Sequence, residues 1–278
     1  MSKEKEITIA SYNIASGGFE KYSYDLEVPT RLEQINKAVK IINADFISLI
    51  DTFRWEEKFT NEQLIRMFNY RFAHSVNLQD ERLIGIGHNN GITILTNLNV
   101  IESKPIFIHT RNCIRTVVEV ENKKLQIFST YLDDKSEETR LKQTEELLKH
   151  VDPDLPTTIL GDLNTTDPKN SADTKKGMDR FLDEYPYLKD SVSATFEDMS
   201  RGEVVTRLNK AGFMPANDNY EPTVPTPLFM KLGYKSPLVQ LDHVFVKGSL
   251  EIKNFEVLQG EVFDNASDHY PVRAKITL

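Results

Sequence analysis

Short apolar runs alternate with amphipathic stretches along most of the chain. Runs of four to eight residues, rich in β-branched side chains and bounded by turn residues, predict strands at Ile7–Asn13, Asp45–Ile50, Gly91–Leu95, Ile114–Val120, Leu125–Thr130, Thr157–Leu160, Gln240–Val246 and Val272–Ile276. Between them, Pro29-Thr30 opens a helix that carries Leu32, Ile35, Val39 and Ile42 on one face. A second helix is predicted from near Ser136, with Leu141, Thr144, Leu147, Leu148 and Val151 inward, and a third from about Thr174 to Tyr185. Residues 209–237 hold five prolines and little periodicity, so a long loop is expected there, a length that is often functional. Strands mixed with flanking helices predict an α/β architecture.

Nothing in the composition divides the 278 residues, and a single domain spanning 1–278 is expected. The 39% hydrophobic content is enough to cover a sheet core. The lone Cys113 excludes an internal disulfide and a thiolate metal site. No apolar run approaches the ~20 residues needed to span a bilayer, and the run Ile7–Ala10 is too short for a signal peptide. A soluble, cytoplasmic monomer without membrane insertion is therefore expected. The net charge of −8 argues against a dedicated nucleic-acid surface, although a local basic groove or a bound metal would change that balance.

Several polar residues stand just beyond apolar strands, where α/β folds commonly place sites. In Gly161-Asp162-Leu163-Asn164, alternation along an extended backbone would turn Asp162 and Asn164 to one side, a carboxylate able to take a proton beside a carboxamide able to donate to an oxyanion. A simple turn is the competing reading. Ser267-Asp268-His269-Tyr270-Pro271-Val272 pairs a hard-metal ligand with the side chain that titrates near neutrality. Gln240-Leu241-Asp242-His243 supplies a carboxylate that could orient His269. Tyr12-Asn13-Ile14, Asp51 and Thr130-Tyr131-Leu132-Asp133 end further strands, each of them individually explained by strand termination. His74, His88, His109 and His150 are expected to be structural or surface groups, with His88 in the glycine-rich 85–91 stretch a candidate to border a substrate.

Taken in order, these six segments resemble the endonuclease/exonuclease/phosphatase superfamily, over essentially the whole chain. Arg140 and Gln143 also stand where that family often has Arg and Gln. The resemblance implies a four-layered α/β sandwich of two facing sheets flanked by helices. It implies Mg²⁺ or Mn²⁺ held by Asn13, Asp51 and Asp268, with Asp162 acting on the attacking water. Asn164, Tyr131 and His269 would contact the phosphoryl group, with Asp242 orienting His269. The implied partner is a phosphorylated substrate: a small molecule, a nucleic acid or a lipid head group. The implied activity is metal-dependent hydrolysis of a phosphodiester or phosphomonoester. An abasic-site type of nuclease and a non-catalytic phospho-ligand binder are the alternatives. Two departures stand out. The family usually has Glu where Asp51 stands, so the metal would shift, bind through water or recruit Glu56 or Glu57. Most members have His where Tyr131 stands, and a phenol cannot act as a base near neutrality.

Overall fold

The computed structural model describes residues 5–19, 29–85, 89–217, 219–231 and 235–278. In chain order the elements are β1 (Glu6–Asn13), α1 (Leu32–Ile42), β2 (Phe46–Ile50), α2 (Trp55–Lys58), α3 (Asn61–Phe68), β3 (Phe72–Asn77), α4 (Glu81–Ile84), β4 (Gly91–Thr96), β5 (Asn99–Ile108), β6 (Arg111–Val120) and β7 (Lys123–Tyr131). There follow α5 (Glu137–Leu148), β8 (Thr157–Asp162), α6 (Ser171–Glu184), α7 (Lys189–Ser200), α8 (Glu203–Lys210), β9 (Met214–Pro215), α9 (Pro227–Lys231), β10 (Asp242–Lys247), β11 (Glu251–Val257), α10 (Glu261–Ala266) and β12 (Val272–Thr277).

The strands form two six-stranded sheets, ordered β11-β12-β1-β2-β4-β3 and β5-β6-β7-β8-β10-β9. Each is antiparallel except for one central parallel pair, β1 with β2 and β7 with β8. The β1 strand lies antiparallel to β12, with Glu6 opposite Thr277 and Ser11 opposite Val272. Because alternate side chains point to opposite faces, each central strand has two apolar faces. Ile7, Ile9, Phe46, Ile92 and Ile94 of the first sheet meet Ile114, Val118, Ile127, Leu160 and Val244 of the second in the core between the sheets. On the outer face of the first sheet, Tyr12, Ile47 and Leu49 pack under Ile35, Val39, Trp55, Leu64, Phe68 and Phe263 of the helices. On the outer face of the second, Phe128, Ile159 and Phe245 pack under Leu147 of α5 and Val204 and Leu208 of α8. The result is four layers, helix, sheet, sheet and helix, as expected.

The predicted strands and the three predicted helices are present, with the first starting at Leu32 rather than at Pro29-Thr30. The proline-rich 209–237 stretch is not a bare loop: it contains the end of α8, the short β9 paired with β10, and α9. Its role is to brace the strand ends. Thr223 Oγ1 accepts the backbone N–H groups of Leu241 and Asp242 at 3.1 and 3.3 Å, and Tyr270 N–H donates to the Thr223 carbonyl at 2.8 Å. Thr226 donates its backbone N–H to the Asp268 carbonyl and its hydroxyl to the Ser267 carbonyl. His88 lies outside the described residues.

Candidate functional site

At one edge of the sandwich the ends of β1, β2, β7 and β8 and the start of β10 converge with the turn before β12. The second sheet contributes Asp162 at the end of β8 and Asp242 at the start of β10, which are direct cross-strand partners. Two carboxylates buried side by side cannot both ionise freely. Burial, then the Asp242 charge, raises Asp162 to about 7. The first sheet contributes Asn13, whose Nδ2 donates to Asp162 Oδ2 at 3.0 Å, and its Oδ1 accepts the Ala15 N–H.

His269 leans across from the turn before β12. Its Nδ1 lies 2.7 Å from Asp242 Oδ2 and its Nε2 lies 3.9 Å from Asp162 Oδ2. Burial opposes a charged ring, but Asp242, Asp162 and Asp268 outweigh it and push His269 up to about 10. The imidazolium state follows, with Nδ1–H donated to Asp242. The turn is pinned to β1 because Ser267 Oγ donates to the Asn13 carbonyl at 2.6 Å.

The glycine of Gly161-Asp162 is a steric requirement. Its φ is 153°, and a Cβ there would come within 1.8 Å of the Thr130 carbonyl oxygen on β7. Past Asp162 the strand alternation stops. Asn164 adopts φ 50°, its backbone N–H donates to Asp162 Oδ1 at 2.9 Å, and its Nδ2 donates to the Leu132 carbonyl at 3.0 Å. The extended-backbone argument for this pair therefore fails: a turn brings Asn164 back to Asp162. Both side chains are buried.

Asp51 follows β2 with φ 58°, an uncommon conformation that Asp tolerates better than most residues. Ser16 N–H donates to its Oδ2 at 2.7 Å, while its Oδ1 is buried without a hydrogen-bond partner among the described residues. Burial, with Asp268 adding to it, raises Asp51 to about 6. A buried carboxylate oxygen without a donor is costly unless a cation or water meets it. The oxygen-rich set of Asp51, Asp268 and Asn13 therefore suits a hard divalent cation. Glu56 and Glu57 are both exposed and engaged elsewhere: Glu56 accepts the Asn77 N–H, and Glu57 pairs with Arg54 and Asn89.

Asp162, Asp242 and His269 also each offer an atom within 4.8 Å of the others. Hydrogen bonds account for that approach, since Asp162 accepts from Asn13 and Asn164 while Asp242 is bonded to His269 Nδ1.

Tyr131 ends β7 opposite Asp162, half-buried, with the Arg111 guanidinium carbon 5.0 Å from its ring centroid. Burial, then the Asp51 and Asp162 charges, raises its phenol well above 10, so it stays protonated. The neighbouring Asp133 is structural: its Oδ1 caps the backbone of Lys135 and Ser136 ahead of α5. Arg140 and Gln143 hold the same segment, Arg140 through the Asp133 carbonyl at 2.9 Å and Gln143 through the Asp133 N–H at 2.8 Å. His243 is buried, with Nε2 2.9 Å from the Thr165 carbonyl oxygen, and His74 lies 2.8 Å from Ser103 Oγ. His109 lines a cavity of about 750 Å³ with Asp80, Arg82, Ile84 and Phe107, and among the described residues no predicted site residue borders it.

Sequence reasoning missed Arg31. Its guanidinium gathers the carbonyls of Ile14, Ala15, Phe19 and Ala266, tying the exit of β1 to the segment carrying Asp268 and His269. No local pattern marks it, because its partners are backbone atoms far along the chain.

The sequence profile of the Endonuclease/Exonuclease/phosphatase family matches residues 10–269. The chain belongs to this family. Members of the endonuclease/exonuclease/phosphatase family are generally divalent-metal-dependent phosphoesterases and nucleases. No curated protein matches the sequence. Among solved structures, an endonuclease/exonuclease/phosphatase from Beutenbergia cavernae DSM 12333 superposes with a TM-score of 0.69 at 15% identity, over 99% of this chain and 72% of that one. A functionally unknown conserved protein from Enterococcus faecalis V583 gives 0.62 at 16% identity, over 97% and 99%. D. rerio TDP2, complexed with a single-strand DNA product, gives 0.61 at 15% identity, over 99% and 100%. At such identities the likeness shows the shared fold. Among the described residues no helix is long and apolar enough to cross a membrane.

Proposed function

We propose that the protein hydrolyses a phosphodiester or phosphomonoester by in-line attack of water at the Asp162–Asp242–His269 cluster, aided by Mg²⁺ or Mn²⁺. The observation that carries this reading is the pairing of His269 Nδ1 with Asp242 Oδ2 at 2.7 Å, beside an Asp162 raised to about 7. A carboxyl poised near neutrality suits a general base, and a held imidazolium beside it suits stabilisation of a developing anion.

In this reading Asp162 receives the proton of the attacking water. Asn13 and the Asn164 N–H hold its two oxygens, which fixes the direction from which it accepts. His269 presents Nε2–H to a non-bridging phosphoryl oxygen, with Asp242 holding the imidazolium and its orientation. The Tyr131 hydroxyl, which stays protonated, is a second, neutral donor beside the charged His269. Asp51, Asp268 and Asn13 would hold the cation, which supplies Lewis-acid charge opposite the phosphoryl oxygens when bound.

A nuclease is the second reading, favoured by the fold shared with TDP2, whose structure holds a single-strand DNA product. A panel of phosphomonoesters, phosphodiesters, abasic DNA, single-stranded DNA and phospholipids, assayed with Mg²⁺ and with Mn²⁺, separates the substrate classes. Absence of turnover on the whole panel, together with tight phosphate binding, would favour a phospho-ligand binder.

A further inference from the structure

Arg111 opens β6 and is 1% exposed, yet it stands against the ring of Tyr131. Its donors are committed to the protein. Nε donates to Asp80 Oδ2 at 2.7 Å, Nη2 to Asp134 Oδ1 at 3.0 Å, and Nη1 to the Leu132 and Tyr131 carbonyls at 2.7 and 3.4 Å. The Leu132 carbonyl also accepts Asn164 Nδ2 at 3.0 Å, and the Leu132 N–H donates to the Asp162 carbonyl at 3.0 Å. One peptide group thus links Arg111 to Asn164, and one ring links it to Tyr131.

We infer that Arg111 is a positioning residue for hydrolysis: it touches no substrate, but sets the Tyr131 ring and, through the Leu132 carbonyl, the Asn164 carboxamide. A rigid planar fork suits this task because it holds two carboxylates and two carbonyls at fixed angles. Lysine keeps the charge without the fork. With the fork gone, the Leu132 carbonyl keeps Asn164 as its side-chain donor but loses the group that fixes its own direction. Small displacements of a positioning group reduce rate more than affinity, because alignment matters most in the transition state.

The inference rests on the phosphoesterase reading for its kinetic arm only. In Arg111→Lys the expected result is a kcat reduced about tenfold or more, with KM changed less than about twofold. In an Asn164→Ala background the same substitution should reduce kcat much less than in the parent, since the shared route is already cut. Independently of turnover, the ¹⁵N side-chain amide signal of Asn164 should shift or broaden in metal-free, substrate-free Arg111→Lys. A rise in KM at unchanged kcat would make Arg111 a direct phosphate ligand and overturn the inference. So would full additivity with Asn164→Ala, or an unmoved Asn164 amide signal. If Arg111→Lys does not fold, Asp80→Asn removes the Nε partner while leaving the fork, and the same kcat loss and amide shift are expected in smaller measure. An Asp80→Asn protein with parental kcat and an unmoved amide signal would then overturn the inference. If no phosphoester is turned over by the parent protein, the amide signal alone decides, and it is the activity reading that has failed.

Discussion

His269 Nδ1 and Asp242 Oδ2 meet at 2.7 Å although their backbones belong to different sheets. Asp242 opens β10 of one sheet, and His269 precedes β12 of the other. The Asn13–Asp162 hydrogen bond crosses the same divide from β1 to β8. The candidate cluster therefore exists only while the two sheets are packed face to face, so packing of the apolar interior and acid–base geometry are one property.

His269→Ala should leave the fold intact and reduce kcat about 10²–10³-fold, the usual loss for one charge-stabilising donor. Circular dichroism verifies folding, and steady-state kinetics on whichever phosphoester is turned over verifies the loss. Parental turnover in a folded variant would remove His269 from the mechanism.

Asp51 is one methylene shorter than the Glu usual in the family, and Mg²⁺ tolerates little departure from its short coordination distances. Mn²⁺ takes the same oxygen ligands but is a larger ion and less demanding of ideal octahedral geometry, so it accommodates a shorter carboxylate set slightly too far away. Calorimetric titration should show preference for Mn²⁺, Asp51→Glu should raise Mg²⁺ affinity, and Asp51→Asn should lower affinity for both. Unchanged metal binding in Asp51→Asn would make Asp51 a strand-end residue only.

Burial raises both Asp51 and Asp162 above their unfolded value of about 3.9, to about 6 and about 7. The folded metal-free state therefore binds more protons than the unfolded state between about pH 4 and 7, and this contribution to stability is lost as pH rises through that window. A bound cation needs the ionised forms and reverses the trend. Mn²⁺ should thus raise Tm far more at pH 7.5 than at pH 5, and Asp51→Asn should flatten the metal-free dependence of Tm on pH. Equal Mn²⁺ shifts at both pH values would contradict this account.

Glu137 and Arg140 form a fully buried ion pair at 2.7 Å, and Glu137 Oε1 also accepts the Glu203 and Val204 N–H groups at the start of α8. Removing one partner of a buried pair typically costs about 3–5 kcal/mol, and Asp198, which also accepts from Arg140 Nη2, keeps the Arg140 charge partly compensated. Urea denaturation of Glu137→Gln should show a loss near the lower end of that range, since the carboxamide keeps an acceptor for α8. A loss below about 1 kcal/mol would mean that the pair contributes little net stability.

What the sequence made legible was whatever has a local signature. Strand cores such as Thr116-Val117-Val118 were readable by composition, and Gly161-Asp162 by a glycine that the Thr130 carbonyl requires. Strand alternation predicts Asn164 beside Asp162, but a turn, not alternation, brings it there. The 209–237 stretch looked structureless because Thr223 and Thr226 act through backbone partners that no periodicity encodes. Arg31 and Arg111 were invisible for the same reason, each gathering carbonyls from separate segments.

The antiparallel pairing of β1 with β12 has a consequence for synthesis on the ribosome. At about 5–20 residues per second, β1 emerges tens of seconds before its partner strand. During that interval the nascent chain already carries Asn13, Asp162 and then Asp242, but not His269. A growing chain therefore lacks part of the candidate cluster, and its first strand has an edge that stays unpaired until β12 is made. Pulse-labelled nascent chains stalled just before Ser267 should remain protease-sensitive at β1, and those in which β12 has cleared the ribosome should not.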